Sequence, residues 1–173
     1  MTAVEKHRSF SFPVTPRDDE LRCGRATFAA RYCSQTRVAV GVVGEIDALN
    51  GREFGRYVER HTRVSKQLVL DLRAVDYFGT AGFTALYYVS VYCARSDVDW
   101  AIVGRRPVRR LLSVCDPDGE LPLADDLSTA LARLDRLAYG VQHVIWTAQA
   151  GWHRPSSGGR TPRRRLGERT APR

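Results

Sequence analysis

The chain has 173 residues, 43% of them hydrophobic and 27% charged, with a formal net charge of +8 at pH 7. That length fits one domain with tails, and the composition is that of a globular protein with a core of ordinary size. No apolar run approaches the roughly 18 residues of a membrane span, and residues 1–20 lack the apolar centre of a secretory signal, so a cytoplasmic chain without a membrane segment is expected.

The charge is uneven. Residues 154–173 hold seven Arg and one Glu, net +6. Residues 24–153 hold sixteen basic and fourteen acidic side chains, net +2, and residues 1–23 hold four of each. The high pI therefore belongs to the tail, and it argues little for nucleic-acid binding by the folded part. Cys23, Cys33, Cys93 and Cys115 show no CxxC spacing and no partner histidines, so they read as reduced thiols and no metal is expected.

In chain order, residues 1–23 mix Ser, Pro and charge without period and read as a flexible leader. Residues 27–32 and 38–43 predict two strands around a polar break, with Val38, Val40 and Val42 on one face, and together a hairpin. Gly44-Glu45-Ile46-Asp47 closes the second strand. Phe54, Tyr57, Val58 and His61 then repeat at helical spacing, with Asn50 as the expected cap.

Residues 67–72 predict a buried central strand, and residues 75–82 a glycine-bearing loop. Phe83, Leu86, Tyr87 and Ala94 mark a second helix, residues 100–103 another strand, and Pro107 the first turn of a third helix carrying Val108, Leu111, Leu112 and Cys115. Residues 116–119 are a strong stop. Residues 121–123 suggest a last short strand, and Asp126 or Ser128 caps a fourth helix with Leu127, Leu131, Leu134 and Ala138. Strands alternating with helices predict an α/β domain over residues 24–140. Residues 141–153 keep enough apolar character for an extra packed segment, and residues 154–173 predict a disordered Arg-rich tail.

Three segments together resemble the STAS family, the domain shared by sulphate transporters and bacterial anti-sigma factor antagonists. They are Gly44-Glu45-Ile46-Asp47, Leu70-Asp71-Leu72 running on to Gly82, and Val103-Gly104 followed by Pro107 and Leu111-Leu112. The resemblance covers roughly residues 26–138. It implies a mixed four- to five-stranded sheet with about four helices, the sheet on one side and the helices on the other. It also implies a function: binding an anti-sigma factor, in this family also a kinase, so that a sigma factor is freed. In such antagonists a serine in the loop before the second helix is phosphorylated, and the added charge of about −1.5 to −2 cancels binding. The family's D-S-S-G reads here as Gly79-Thr80-Ala81-Gly82, so the phosphorylated serine aligns with Ala81, which has no hydroxyl.

The resemblance places the partner-binding face on Asp47, Phe78, Gly79, Thr80, Ala81, Gly82 and Phe83. Thr80, the one hydroxyl left in the motif, is either a substitute phosphosite or the cap of the second helix. Asp47 either meets the partner or bonds its own backbone in a turn. Tyr87 is expected on the buried face of the second helix, with Tyr88 and Tyr92 as a stripe that either meets a partner or packs on the C-terminal segment. Arg105, Arg106, Arg109 and Arg110 form either a solvated face or a hold for an acidic group. Asp71 is read as mid-strand, at a position explained by the strand-to-loop transition rather than by catalysis. The histidines suggest no shared site, and no nucleophile elbow, Walker motif or HExxH is present, so neither an enzyme nor a cofactor is expected. The alternatives are a nucleic-acid-associated regulator acting through the Arg-rich tail, or a small-molecule or nucleotide-sensing module.

Overall fold

The computed structural model of the chain describes residues 19–150, the last eleven of them by backbone alone. The order of elements is β1 (Asp19–Cys23), β2 (Ala26–Tyr32), β3 (Arg37–Ile46), α1 (Gly51–Thr62), β4 (Gln67–Phe78), α2 (Thr80–Ser96), β5 (Asp99–Gly104), α3 (Arg106–Cys115), β6 (Leu123–Ala124) and α4 (Leu127–Ala150). The strands form one sheet in sequence order, β1-β2-β3-β4-β5-β6. The first three run antiparallel, and β3 through β6 run parallel, each parallel pair joined through a helix. The α/β class, the hairpin and the four helices are as expected.

The sheet has six strands rather than four to five. The additional one, β1, lies in residues assigned to the leader. Its sequence, DELRC, alternates half-buried and exposed positions, which in so short and polar a run resembles loop. Side chains distant in sequence hold it. Asp19 Oδ2 accepts from Arg60 Nη2 at 2.6 Å and lies 3.0 Å from His61 Nε2. The Tyr57 hydroxyl donates to the Asp19 carbonyl at 2.7 Å while accepting the Ala30 N–H at 2.9 Å. Burial pushes the His61 pKa below its ordinary value, against the opposing pull of Asp19.

The sheet is covered on both faces, not on one. Phe28, Val38, Val40, Leu68, Leu70 and Ile102 face the main core, together with Phe54, Leu86 and Val108 from α1, α2 and α3. Ala39, Val69, Ala101, Val103 and Ala124 make a second apolar face, and Ala130 and Leu134 of α4 pack on it. Small side chains on that face let one helix lie close. At the start of α4, Asp126 is the cap. It accepts from the Ser128 hydroxyl at 2.6 Å and the Thr129 N–H at 2.7 Å, bonds that lower its carboxyl pKa to about 2.

Residues 141–150, expected as a separate packed segment, continue α4. Residues 1–18, residues 151–153 and the basic tail lie outside the described residues. Asp71 is mid-strand, as expected, and the strand runs on well past it. It is buried midway along β4, paired with Arg73 through Oδ1 at 2.9 Å and Oδ2 at 2.8 Å. No helix among the described residues is long and apolar enough to cross a membrane.

Candidate partner-binding loops

Strands β3 and β4 end level with each other, Ile46 opposite Phe78. The loops into α1 and α2 therefore leave the sheet side by side at the carboxyl ends of parallel strands, where α/β sheets place their binding crevices. The Gly79 N–H donates to the Ile46 carbonyl at 2.8 Å and ties the two loops together. Upstream, the β3–β4 register shifts between Gly44 and Glu45. Gly44 has φ +100, and a Cβ there would stand 2.1 Å from the Arg25 carbonyl oxygen. Only glycine fits, and its conformation turns Glu45-Ile46-Asp47 into the loop.

Within the first loop, Asp47 Oδ1 accepts the Leu49 N–H at 2.8 Å. This is the turn role open to Asp47. Asn50 occupies the position before α1 but makes no side-chain cap. Its side chain is aimed back into the loop. Oδ1 accepts the Asp47 N–H at 3.0 Å, and Nδ2 donates to the Glu45 carbonyl at 2.8 Å and the Cys23 carbonyl at 3.4 Å. Asn50 is 1% exposed, and the loop it braces presents Leu49 at 87%.

The second loop is shorter than expected. Pairing with β3 carries β4 on to Phe78, with Val75 and Phe78 buried and Asp76 and Tyr77 outward, so only Gly79 separates strand from helix. Gly79, extended at φ −90 and ψ 177, holds the cap position of α2 without a side-chain bond. Thr80 is the first helical residue and is exposed, so it does not cap α2.

Ala81 points toward α1: a Cβ built on Gly51 would lie 2.7 Å from the Ala81 methyl. A Cβ on Gly82 would lie 2.7 Å from the Phe78 ring and 3.0 Å from Ile46 Cγ2. The two helix starts are thus locked to each other and to the strand ends by small residues and one aromatic ring.

All seven expected site residues fall in this one place, with different surfaces. Thr80 is exposed, Phe78 and Gly82 are buried, and Asp47, Gly79, Ala81 and Phe83 are half-buried. The large apolar side chains that reach solvent here are Leu49 and Tyr77, the latter 54% exposed, and neither was singled out in the sequence. Leu49 is an apolar residue inside the polar turn Asp47–Asn50, which is the signal that marks it.

Two grooves flank the loops. One, of about 710 Å³, runs between α1 and α2 past Gly51, Arg52, Gly55, Tyr88 and Tyr92. The other, of about 520 Å³, lies between the end of β4 and α3. Tyr87 is not on the buried face of α2. That face is Gly82, Ala85, Leu86, Val89 and Cys93, which turns Tyr87 outward at 57% exposure, edge-on to Tyr88 at 6.2 Å. Burial pushes the Cys93 thiol up to about 12, so it stays protonated at neutral pH. The described residues contain no cluster of three His, Cys, Asp or Glu side chains able to hold a metal.

Residues 32–130 match the family model described as the STAS domain. The chain is 30% identical over 104 residues to osmosensory protein A of Mycobacterium tuberculosis, an alignment covering 58% of this chain and 66% of that protein, just under two thirds of its length. It is 29% identical over 99 residues to anti-sigma-F factor antagonist RsfA of the same species, covering 55% of this chain and 77% of that one. An anti-sigma factor antagonist from Mycobacterium paratuberculosis superimposes with a TM-score of 0.54 at 22% identity, covering 62% of this chain and 92% of that structure. The unphosphorylated anti-sigma factor antagonist SpoIIAA superimposes with a TM-score of 0.53 at 10% identity, covering 62% and 96%. At these identities the two structures share its fold.

Proposed function

The chain belongs to the STAS domain family, and on that premise we propose that it is a cytoplasmic, protein-binding regulator that sequesters an anti-sigma factor and frees a sigma factor. Relatives named as anti-sigma factor antagonists support this reading. The observation that carries it is the pair of level, locked loops presenting Leu49, Tyr77 and Thr80 to solvent. Exposed apolar and aromatic side chains on a rigid frame are the features of a protein-docking surface. The partner is a protein, and the chain acts by occupying it rather than by catalysis.

The phosphate switch takes a different form here. The position that aligns with the family's phosphoserine is Ala81, whose methyl rests against the Gly51 backbone. With no acceptor there, the chain behaves as a permanently unphosphorylated antagonist. Thr80, one residue earlier and exposed, is the alternative acceptor.

The test is capture of an anti-sigma factor from a lysate of the native cell by the full chain and by Leu49→Arg, with both baits checked for phosphate by intact mass. Leu49 is 87% exposed and uses only its backbone N–H, so an Arg there should leave stability within about 0.5 kcal/mol. Capture by the wild type and not by the variant is expected. Equal capture by a folded Leu49→Arg would overturn the docking face. Stoichiometric phosphate on Thr80 would overturn constitutive action.

A further inference from the structure

The groove between β4 and α3 has a composition the loops alone do not explain. Buried Phe78 and half-buried Leu111 line it together with Tyr77 and Val114, 54% and 75% exposed. Arg106 and Arg110, one helical turn apart on α3, stand on its rim, and both are exposed. Thr80, at the start of α2, lines it as well.

The arginines of α3 divide into two kinds. Arg109 is spent on the fold: it donates to the Gly104 carbonyl at 2.9 Å, the Ala124 carbonyl at 2.6 Å and the Asp125 carbonyl at 3.1 Å, which ties α3 to β5 and β6. Arg106 and Arg110 have no carboxylate partner among the described residues. Asp76 is the one acidic residue lining the groove, so the lining holds two arginines and one carboxylate. In the α1–α2 groove Arg56 is paired with Glu53 at 2.8 Å and Glu59 with Arg63 at 2.9 Å, while Arg52 and Arg95 have no carboxylate partner among the described residues. What sets the β4–α3 groove apart is an arginine pair one turn apart beside exposed Tyr77 and Val114.

We infer that the β4–α3 groove docks an acidic segment of the protein partner, one apolar side chain seated between Tyr77 and Val114 and flanking carboxylates on Arg106 and Arg110. This rests on the antagonist reading and extends it, since Tyr77 and Thr80 belong to both surfaces. A groove of about 520 Å³ takes one or two side chains, which makes it an anchor beside the loops rather than the whole interface. Planar guanidinium forks bind carboxylates in a fixed geometry, so they set the register of the partner as well as attracting it.

The probe is a 12-residue peptide with Leu residues flanked by Asp and Glu, against the same peptide with Lys in the acidic positions. Each is titrated at low salt into the ¹⁵N-labelled full chain. The acidic peptide should shift the amides of Tyr77, Thr80, Leu111 and Val114. Joint replacement Arg106→Glu and Arg110→Glu should weaken it about 2- to 30-fold, the range for losing two exposed charge pairs. The milder pair Arg106→Gln and Arg110→Gln should act in the same direction, and Arg52→Glu in the other groove should have no effect.

Binding that ignores the arginine pair, equal affinity for the Lys peptide, or no saturable binding would each overturn the inference. The antagonist reading is judged separately. An anti-sigma factor captured equally by wild type and by the double variant, but not by Leu49→Arg, would overturn the groove and leave that reading standing. Peptide binding in the groove with no anti-sigma factor captured by wild type would overturn the antagonist reading and keep the groove.

Discussion

Replacing Asn50 separates two physical roles that the sequence does not distinguish. A helix cap tolerates Asp as well as Asn, and a carboxylate at the start of α1 should gain about 0.3–1 kcal/mol from the helix dipole. The structure assigns Asn50 to the loop instead, as acceptor for the Asp47 N–H and donor to the Glu45 and Cys23 carbonyls. Asn50→Ala leaves the Asp47 N–H and the Glu45 carbonyl without this partner, beneath a site only 1% exposed. At about 1–3 kcal/mol for each unsatisfied buried group, less what entering water recovers, the loss should be about 2–4 kcal/mol. Asn50→Asp keeps the acceptor but sets a carboxylate against two carbonyl oxygens, so it should cost at least as much. Urea unfolding reads the difference. With a slope of about 1–3 kcal/mol per molar, both variants should move the midpoint down by about 1 M or more. Hydrogen exchange at the Asp47 and Leu49 amides should quicken in both. If Asn50→Asp unfolds at or above the wild-type midpoint while Asn50→Ala falls by about 1 kcal/mol, Asn50 is a cap and the loop-bracing argument is wrong.

Other outcomes follow from single features. Gly44→Ala should destabilise by more than about 2 kcal/mol, because φ +100 and a Cβ 2.1 Å from the Arg25 carbonyl oxygen add strain to a backbone clash; Gly119→Ala, at φ +67 with nothing within 4 Å, should cost about 1 kcal/mol in the same urea assay. Thr80→Glu puts a carboxylate in the first turn of α2, so thermal stability should hold or rise while capture of an anti-sigma factor falls; unchanged capture would remove Thr80 from the docking face. The His61 pKa is lowered by burial, so the folded state favours the neutral ring: its contribution is present above the unfolded value of about 6.5 and is lost as pH falls below it. Melting temperatures at pH 7.5 and 5.5 should therefore differ more in wild type than in His61→Gln.

The sequence carried most of the fold because its central strands and helices bury long apolar runs with clean periods. Val38, Val40 and Val42, and Phe54, Tyr57, Val58 and His61, all lie inward as their spacing predicts. What escaped was decided by contacts far apart in sequence. Strand β1 is polar by composition and is held by Tyr57, Arg60 and His61 from α1. The extent of β4 is set by its pairing with β3 through Phe78, against the local loop signals of Gly79 and Gly82. Helical spacing from Phe83 predicts Tyr87 inward, yet the buried stripe runs through Gly82, Ala85, Leu86 and Val89, and a hydrophobic pattern underweights the Gly and Ala among them. The site motif placed all seven residues in one region, but which of them reach solvent depends on the burial of Phe78 and Gly82 and the exposure of Leu49 and Tyr77.

These contacts also explain how the loop conformation holds with a methyl at Ala81. The loop conformation does not rest on that position's side-chain chemistry. It rests on the Gly79 N–H to Ile46 carbonyl bond, on the Gly82 backbone packed under the Phe78 ring, and on the meeting of Gly51 and Ala81 at the two helix starts. A methyl satisfies that packing. Adding Ala81→Ser would place a hydroxyl beside Gly51 at the start of α1, where a phosphate would have to separate the helices or turn outward. Under constitutive action, Ala81→Ser should therefore bind an anti-sigma factor as wild type does until it is phosphorylated. Incubation with a kinase-type anti-sigma factor and ATP should then release the Ser variant and leave wild type bound. Release of both would place the acceptor elsewhere, with Thr80 the first residue to replace.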